Sequence, residues 1–143
     1  MMPSFSTILL AAGYGTRLYP LTKDCPKALL PIGERVLLDW ILDTVDAIPG
    51  NAKTVLVTNH KFVPHFQTWH QTDHRPLEIV DDGTSTPEAR LGAVRDLLLG
   101  LDRIEQGSDA VVLGTDNVFT WSLADLVAFA ATRRPAATVA IRE

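Results

Sequence analysis

The sequence predicts an α/β fold built on a mostly parallel sheet with helices on both of its faces. Three observations predict it. Short β-type apolar runs recur with helix-length runs between them, the alternation that builds parallel sheets through crossover helices. Several of the β-type runs are apolar at successive positions, as strands covered on both sides are. At 143 residues, 46% of them hydrophobic and 21% charged, the chain has the length of a single domain with its own core.

The first strand, Phe5 to Leu10, runs into Ala11-Ala12-Gly13-Tyr14-Gly15-Thr16-Arg17, where small residues leave the backbone uncovered. A side chain at Gly13 or Gly15 would hold a phosphate away from the amide hydrogens, and glycine also permits the positive φ of such a turn. Arg17 follows with a planar fork of donors suited to phosphate oxygens, and Lys27 supplies a compact point charge. A lone G-x-G more often marks a tight turn. Two familiar nucleotide motifs also fail: a dinucleotide fingerprint needs glycine where Leu18 stands, and the Gly-Lys-Ser/Thr of a P-loop is absent.

The first helix is expected over Val36 to Ile48. Leu37, Trp40, Ile41, Val45 and Ile48 make its apolar stripe, with Asp39, Asp43 and Asp46 turned outward. This periodicity reads Trp40 as core filling, and Pro49-Gly50-Asn51 ends the helix. A strand over Lys53 to Thr58 leads to a helix over Val63 to Gln71, with Phe62, Phe66 and Trp69 on one face. His60, His65, His70 and His74 cluster nearby. A metal would need converging ligands, and His65 and His70 point in different directions on a helix with no cysteine beside them, so the cluster reads as a solvated polar face and not as a zinc site.

After a strand at Leu77 to Val80 comes Asp81-Asp82-Gly83-Thr84-Ser85-Thr86, a run of turn formers and hydroxyls. Thr86 is expected to cap a helix over Pro87 to Leu101. This loop lies at the sheet end where open α/β folds hold ligands. The strand Ala110 to Leu113 then runs through Gly114-Thr115 to Asp116, an acidic residue at a C-terminal strand tip. There a hard cation such as Mg²⁺ could be held by one carboxylate plus phosphates, the plainer alternative being a turn cap by Asp116 or Asn117. A helix over Ser122 to Thr132 and a strand over Ala137 to Ile141 complete the pattern.

Charge narrows the function. Between Ala11 and Arg35 four cations face two acids, a local +2 in a chain of net −4, so the glycine segment is a local anion trap. The acidic remainder argues against unspecific nucleic-acid binding. No apolar run approaches the roughly 20 residues that span a bilayer, and Met1 to Thr7 lacks the pattern of a signal peptide. A cytoplasmic location with no membrane partner is expected. The lone Cys25 excludes an internal disulfide and reads as a bystander.

Two motifs in register carry more than either alone: G-x-G-T-R-L-x-P-L-T at Gly13 to Thr22, then P-K-x-L-x-P at Pro26 to Pro31. At this spacing the chain resembles the sugar-1-phosphate nucleotidylyltransferases, also called NDP-sugar pyrophosphorylases. The resemblance implies a three-layer α/β/α Rossmann-like nucleotidyltransferase fold, apparently truncated. Residues 1–143 would form the nucleotide-binding portion, with the sugar-binding part missing.

The resemblance also assigns roles. Leu10, Ala11, Ala12, Gly13, Tyr14, Gly15 and Thr16 would wrap a nucleoside triphosphate, while Arg17 and Lys27 contact phosphates. Thr84, Ser85 and Thr86 would read the base, with Gly92 keeping the following turn small and Arg90 standing where the family often has glycine. Asp116 would hold Mg²⁺ and, with Arg17 and Lys27, complete the catalytic set. The implied reaction moves a nucleotidyl group from a nucleoside triphosphate to a sugar 1-phosphate and releases pyrophosphate. Phosphocholine as acceptor, or a nucleotide-binding regulatory chain without turnover, are the alternatives. Base, sugar and any homo-oligomeric state stay open.

Overall fold

The computed structural model describes residues 4–134 and 136–141. In chain order its elements are β1 (Phe5–Ala11), β2 (Pro31–Ile32), β3 (Arg35–Val36), α1 (Leu37–Asp46), β4 (Asn51–Thr58), α2 (Val63–Asp73), β5 (Glu78–Asp81), α3 (Ala93–Leu101), β6 (Asp109–Gly114) and α4 (Leu123–Arg133). Single 3₁₀ turns stand at Thr16–Leu18, Lys27–Leu29 and Pro87–Ala89.

The main sheet is parallel throughout, in the order β5-β4-β1-β6. The chain winds outward from β1 through β4 to β5, then crosses back to lay β6 on the other side of β1. That reversal puts a topological switch point at the C-terminal ends of β1 and β6, the place where open α/β sheets hold ligands. In register, Leu10 lies opposite Val57 on one side and Gly114 on the other.

Strand alternation divides the core in two. Phe5, Leu9 and Ala11 of β1 join Leu56, Phe62, Phe66 and the buried stripe Leu37, Leu38, Ile41, Leu42 and Val45 of α1 in one cluster. Ile8, Val55, Val57 and Val80 form the other, closed by Leu97 and Leu99 of α3. The sheet is therefore sandwiched, with α1, α2 and α4 on one face and α3 on the other, as the sequence predicts. Gly100 lets α3 lie close to the sheet, since a Cβ there would come within 2.6 Å of the Ile8 Cγ2.

Four expectations are corrected. The helix expected over Pro87 to Leu101 is two pieces, because Gly92 at φ +88° breaks it and itself caps α3. Thr86 makes no side-chain cap; it precedes only the 3₁₀ turn. Gly92 is thus the residue that opens α3. Residues 137–141 form no strand: among the described residues none pairs with them in a ladder, and Val139 and Ile141 stay 75% and 83% exposed. Residue propensity suggests a strand, but only a partner makes one.

Trp40 is the fourth. It lies at the core margin, 38% exposed, donating through Nε1 to the Ile32 carbonyl at 3.3 Å with the Arg35 guanidinium 4.8 Å over its ring. The β2–β3 hairpin, too short to show a period, supplies both partners. Asp39, expected on the outer face, is half-buried and accepts from Trp69 Nε1 at 3.0 Å. Among the described residues no helix is long and apolar enough to cross a membrane.

Candidate active site

The glycine loop leaves β1 at the switch point, and its carbonyls are taken up by the neighbouring strand ends. Thr115 Oγ1, just past β6, donates to the Leu10 carbonyl at 2.9 Å. From the end of β4, Thr58 Oγ1 donates to the Ala11 carbonyl at 3.1 Å and Asn59 Nδ2 to the Ala12 carbonyl at 3.1 Å. Thr58 and Asn59 are fully buried. With the carbonyls held inward, no backbone carbonyl among the described residues accepts from the amides of Gly13, Tyr14, Gly15 or Thr16. A run of free amides of this kind is an anion-binding concavity.

The two glycines do different work. Gly13 faces open space, with nothing within 4 Å of a Cβ built on it, so its value lies in leaving the outer surface of the loop bare. Gly15 is needed for the turn. Its φ is +61°, and a Cβ there would lie 2.9 Å from the Thr22 Cβ and Oγ1. The fully buried Thr22 closes the turn by donating to the Gly15 carbonyl at 2.5 Å.

The predicted cations and acid are brought to the same end of the sheet. Arg17 sits in the exposed 3₁₀ turn directly after the loop and enters no ion pair among the described residues. Lys27 opens the next 3₁₀ turn, and its Nζ lies 3.7 Å from Asp116 Oδ2. Asp116 stands two residues beyond β6, about half exposed, and its Oδ1 accepts from Asn117 Nδ2 at 2.8 Å. A Cβ at position 114 would come within 3.1 Å of Asp116 Oδ1, so Gly114 clears the space this carboxylate occupies.

Among the described residues no group of three or more His, Cys, Asp or Glu is arranged to hold a metal ion. One exposed carboxylate beside a phosphate-facing loop suits Mg²⁺, which keeps waters and binds through one or two carboxylates and substrate phosphates. It does not suit an all-protein cage. The histidines have other partners: His60 Nδ1 lies 2.5 Å from Asp81 Oδ2, and His70 Nε2 is 2.6 Å from the Arg75 carbonyl. Burial pushes the Cys25 thiol up, the opposite of an activated nucleophile.

The loop after β5 is tied to the glycine loop. Tyr14 is buried, and its hydroxyl meets Thr84 Oγ1 at 2.9 Å; burial, against the Thr84 hydrogen bond, holds the phenol above its ordinary value. Of the three residues expected to read a base, Thr84 is buried with its hydroxyl in use, whereas Ser85 and Thr86 are exposed. Gly92 is exposed at the mouth of α3. Sequence reasoning missed Thr22, Thr58, Asn59 and Thr115. For Thr58, Asn59 and Thr115 the signal is a polar residue where an apolar strand ends.

Comparison with known proteins fits this geometry. The family model described as "Nucleotidyl transferase" matches residues 6–143. A glucose-1-phosphate thymidylyltransferase of Mycobacterium tuberculosis is 32% identical over 120 residues, covering 78% of this chain and 38% of that protein. Among solved structures, a UDP-glucose pyrophosphorylase complexed with UDP-glucose aligns at TM-score 0.70 and 18% identity, over 93% of this chain and 55% of that one. The CTP:phosphocholine cytidylyltransferase of Streptococcus pneumoniae aligns at TM-score 0.64 and 22% identity, over 84% and 48%. Both likenesses are of fold. The chain spans less than half the length of the curated relatives it matches. With a family match over nearly its whole length, on a parallel sheet whose switch point carries the glycine loop, Lys27 and Asp116, the chain belongs to the nucleotidyl transferase family.

Proposed function

We propose that this chain supplies the nucleotide-binding portion of an enzyme that transfers a nucleotidyl group from a nucleoside triphosphate to a sugar 1-phosphate, releasing pyrophosphate. The observation that carries the reading is the approach of Lys27 to Asp116 within 3.7 Å, beside a loop whose amides are free. Relatives named as sugar-1-phosphate nucleotidylyltransferases, the thymidylyltransferase among them, support the choice of acceptor class.

In this reaction an oxygen of the sugar phosphate attacks the α-phosphorus, and the bond to the leaving pyrophosphate breaks. No general base is needed, because a phosphomonoester with a second pKa near 6 is already mostly dianionic at neutral pH. The protein's task is to align two anions that repel each other and to neutralise charge on the leaving group. The amides of Gly13 to Thr16 act as fixed dipoles on the phosphates. Arg17, free of other partners, supplies the fork that grips them, and Lys27 the point charge. Asp116 would hold Mg²⁺, which when bound would supply positive charge to offset that of the phosphates. Lys27 keeps Asp116 turned toward the loop in the meantime. Ser85 and Thr86 offer free hydroxyls to the base. The reaction is assigned to the cytoplasm, where the single thiol of Cys25 stays reduced.

The test has two arms. Calorimetry of this chain with each of four nucleoside triphosphates and Mg²⁺ should show binding to at least one, lost in Arg17→Ala. Pyrophosphate release with a panel of sugar 1-phosphates, and with phosphocholine, should then identify the acceptor, on this chain and on a longer version. No binding to any triphosphate would overturn the proposal.

A further inference from the structure

The relay from the glycine loop to the loop after β5 ends on two carboxyl groups, half-buried Asp82 and buried Asp96. Thr84 Oγ1 gives its proton to Asp82 Oδ1 at 2.8 Å, and Thr84 N donates to the same oxygen at 2.7 Å. A hydroxyl has one proton, so Tyr14 must be the donor in its contact with Thr84. The other Asp82 oxygen, Oδ2, is buried without a donor, and so is Oδ1 of Asp96 in the first turn of α3. Asp96 is only 6% exposed.

The two carboxyl groups are neighbours, close enough for the charge of Asp82 to act on Asp96, and each keeps one buried oxygen without a donor. Two carboxylates are acceptors only, so the pair can share a hydrogen bond only while one of them keeps a proton, and that proton would satisfy both orphan oxygens. Burial first, then the charge of Asp82 and the hydrogen bond to it, push Asp96 up to about 6. Asp96 is the group that holds the proton.

We propose that Asp96 is a positioning residue whose proton, donated to Asp82, locks the Asp82–Thr84–Tyr14 relay under the glycine loop, so that losing it loosens the loop and weakens nucleotide binding. The step from Asp96 to the loop is carried by the two orphan oxygens and the Asp82–Thr84–Tyr14 contacts; the step to the nucleotide rests on the function proposed above. With the proton gone, two anions face each other in a buried site and the relay loses its anchor.

The surroundings do little to offset that repulsion. Tyr14 faces the pair from the glycine loop. From the end of β5 comes Asp81, which accepts from Gly83 N at 2.8 Å and pairs with His60. β1 has no titratable side chain, and the only one on β4, Lys53, is at the far end of the sheet, paired with Glu78. On α3 itself Arg95 is exposed. His60 is held above its ordinary value by its hydrogen bond to Asp81, so it titrates in a neighbouring range and must be separated from Asp96.

Asp96→Asn makes the separation, since an amide donates to Asp82 at every pH and leaves His60–Asp81 alone. Amide resonances of Gly13, Gly15 and Thr84 are followed by NMR in the chain without ligand across about pH 4.5 to 8. In the wild type and in His60→Gln they should shift with a midpoint near 6; in Asp96→Asn they should not. Affinities for UTP and dTTP with Mg²⁺ are measured over the same range. Wild-type affinity should fall roughly fivefold more with rising pH than that of Asp96→Asn. Superimposable titrations of wild type and Asp96→Asn, or glycine amides that do not move in the wild type, would overturn the proposal. Amides that titrate through Asp96 while neither triphosphate binds would uphold the relay and count against the nucleotide reading alone.

Discussion

Gly13 and Gly15 are two residues apart in one motif, yet the structure asks different things of them. Gly15 sits at φ +61° against buried Thr22, so Gly15→Ala combines a left-handed backbone penalty with a steric clash. It should cost about 1–3 kcal/mol, read as a lower urea midpoint. Gly13 meets nothing, so Gly13→Ala should leave that midpoint in place and reduce triphosphate affinity, because the added methyl stands on the bare surface of the loop. Equal losses of stability in both variants would contradict this division. Arg17 and Asp116 are exposed and carry no packing, so Arg17→Ala and Asp116→Ala should each lower pyrophosphate release at least ~100-fold while the melting temperature holds.

At the scale of elements, the glycine loop is held by strand ends and not by its own sequence. Thr115→Val removes the donor to the Leu10 carbonyl and should cost about 1 kcal/mol. Because Asp116 directly follows Thr115, the same variant should raise KM for triphosphate more than its stability loss alone would. On the opposite face, Gly100→Val forces a branched side chain into a 2.6 Å approach to Ile8. It should destabilise by roughly 1–3 kcal/mol without touching the site, seen as a lower urea midpoint with unchanged triphosphate affinity. The short hairpin β2–β3 has a similar supporting role: it receives Trp40 and follows directly on the Lys27 turn.

For the whole molecule, pH acts through groups whose proton affinity folding changes. Asp96 is raised from its ordinary 3.8 to about 6, so in that interval the native state holds a proton that the unfolded chain has released. Stability from this group is complete below the lower value and is lost as pH rises through the upper one. Asp43 acts in the other direction. The hydrogen bond from Arg35 holds it below the usual carboxylate range, so its contribution is lost on acidification. Urea midpoints should therefore fall between about pH 4 and 6, and Asp96→Asn should flatten that fall and gain on the order of 1 kcal/mol at neutral pH.

Much of this was legible in the chain because it depends on local chemistry. Alternating apolar runs dictate a parallel sheet with crossover helices, since strands buried on both faces and helices with one apolar stripe have few other ways to exclude water. A bare glycine loop after a strand, with Arg17 and Lys27 following it, reads as an anion trap, and the structure brings Lys27 within 3.7 Å of an aspartate at a later strand tip. Tertiary structure decided what depends on distant partners. Residues 137–141 have strand-like side chains and no ladder to join; Trp40 has the right period and lies at the core margin; Thr86 has a capping side chain with no helix to cap. The carbonyl holders Thr58, Asn59 and Thr115 are far from the glycine loop in sequence, and only the β5-β4-β1-β6 order brings them to it, while the path from β5 into α3 sets Asp96 beside Asp82. A residue's own chemistry is written in the sequence, but a hydrogen bond or a shared proton needs a second group, and only the folded chain says which one arrives.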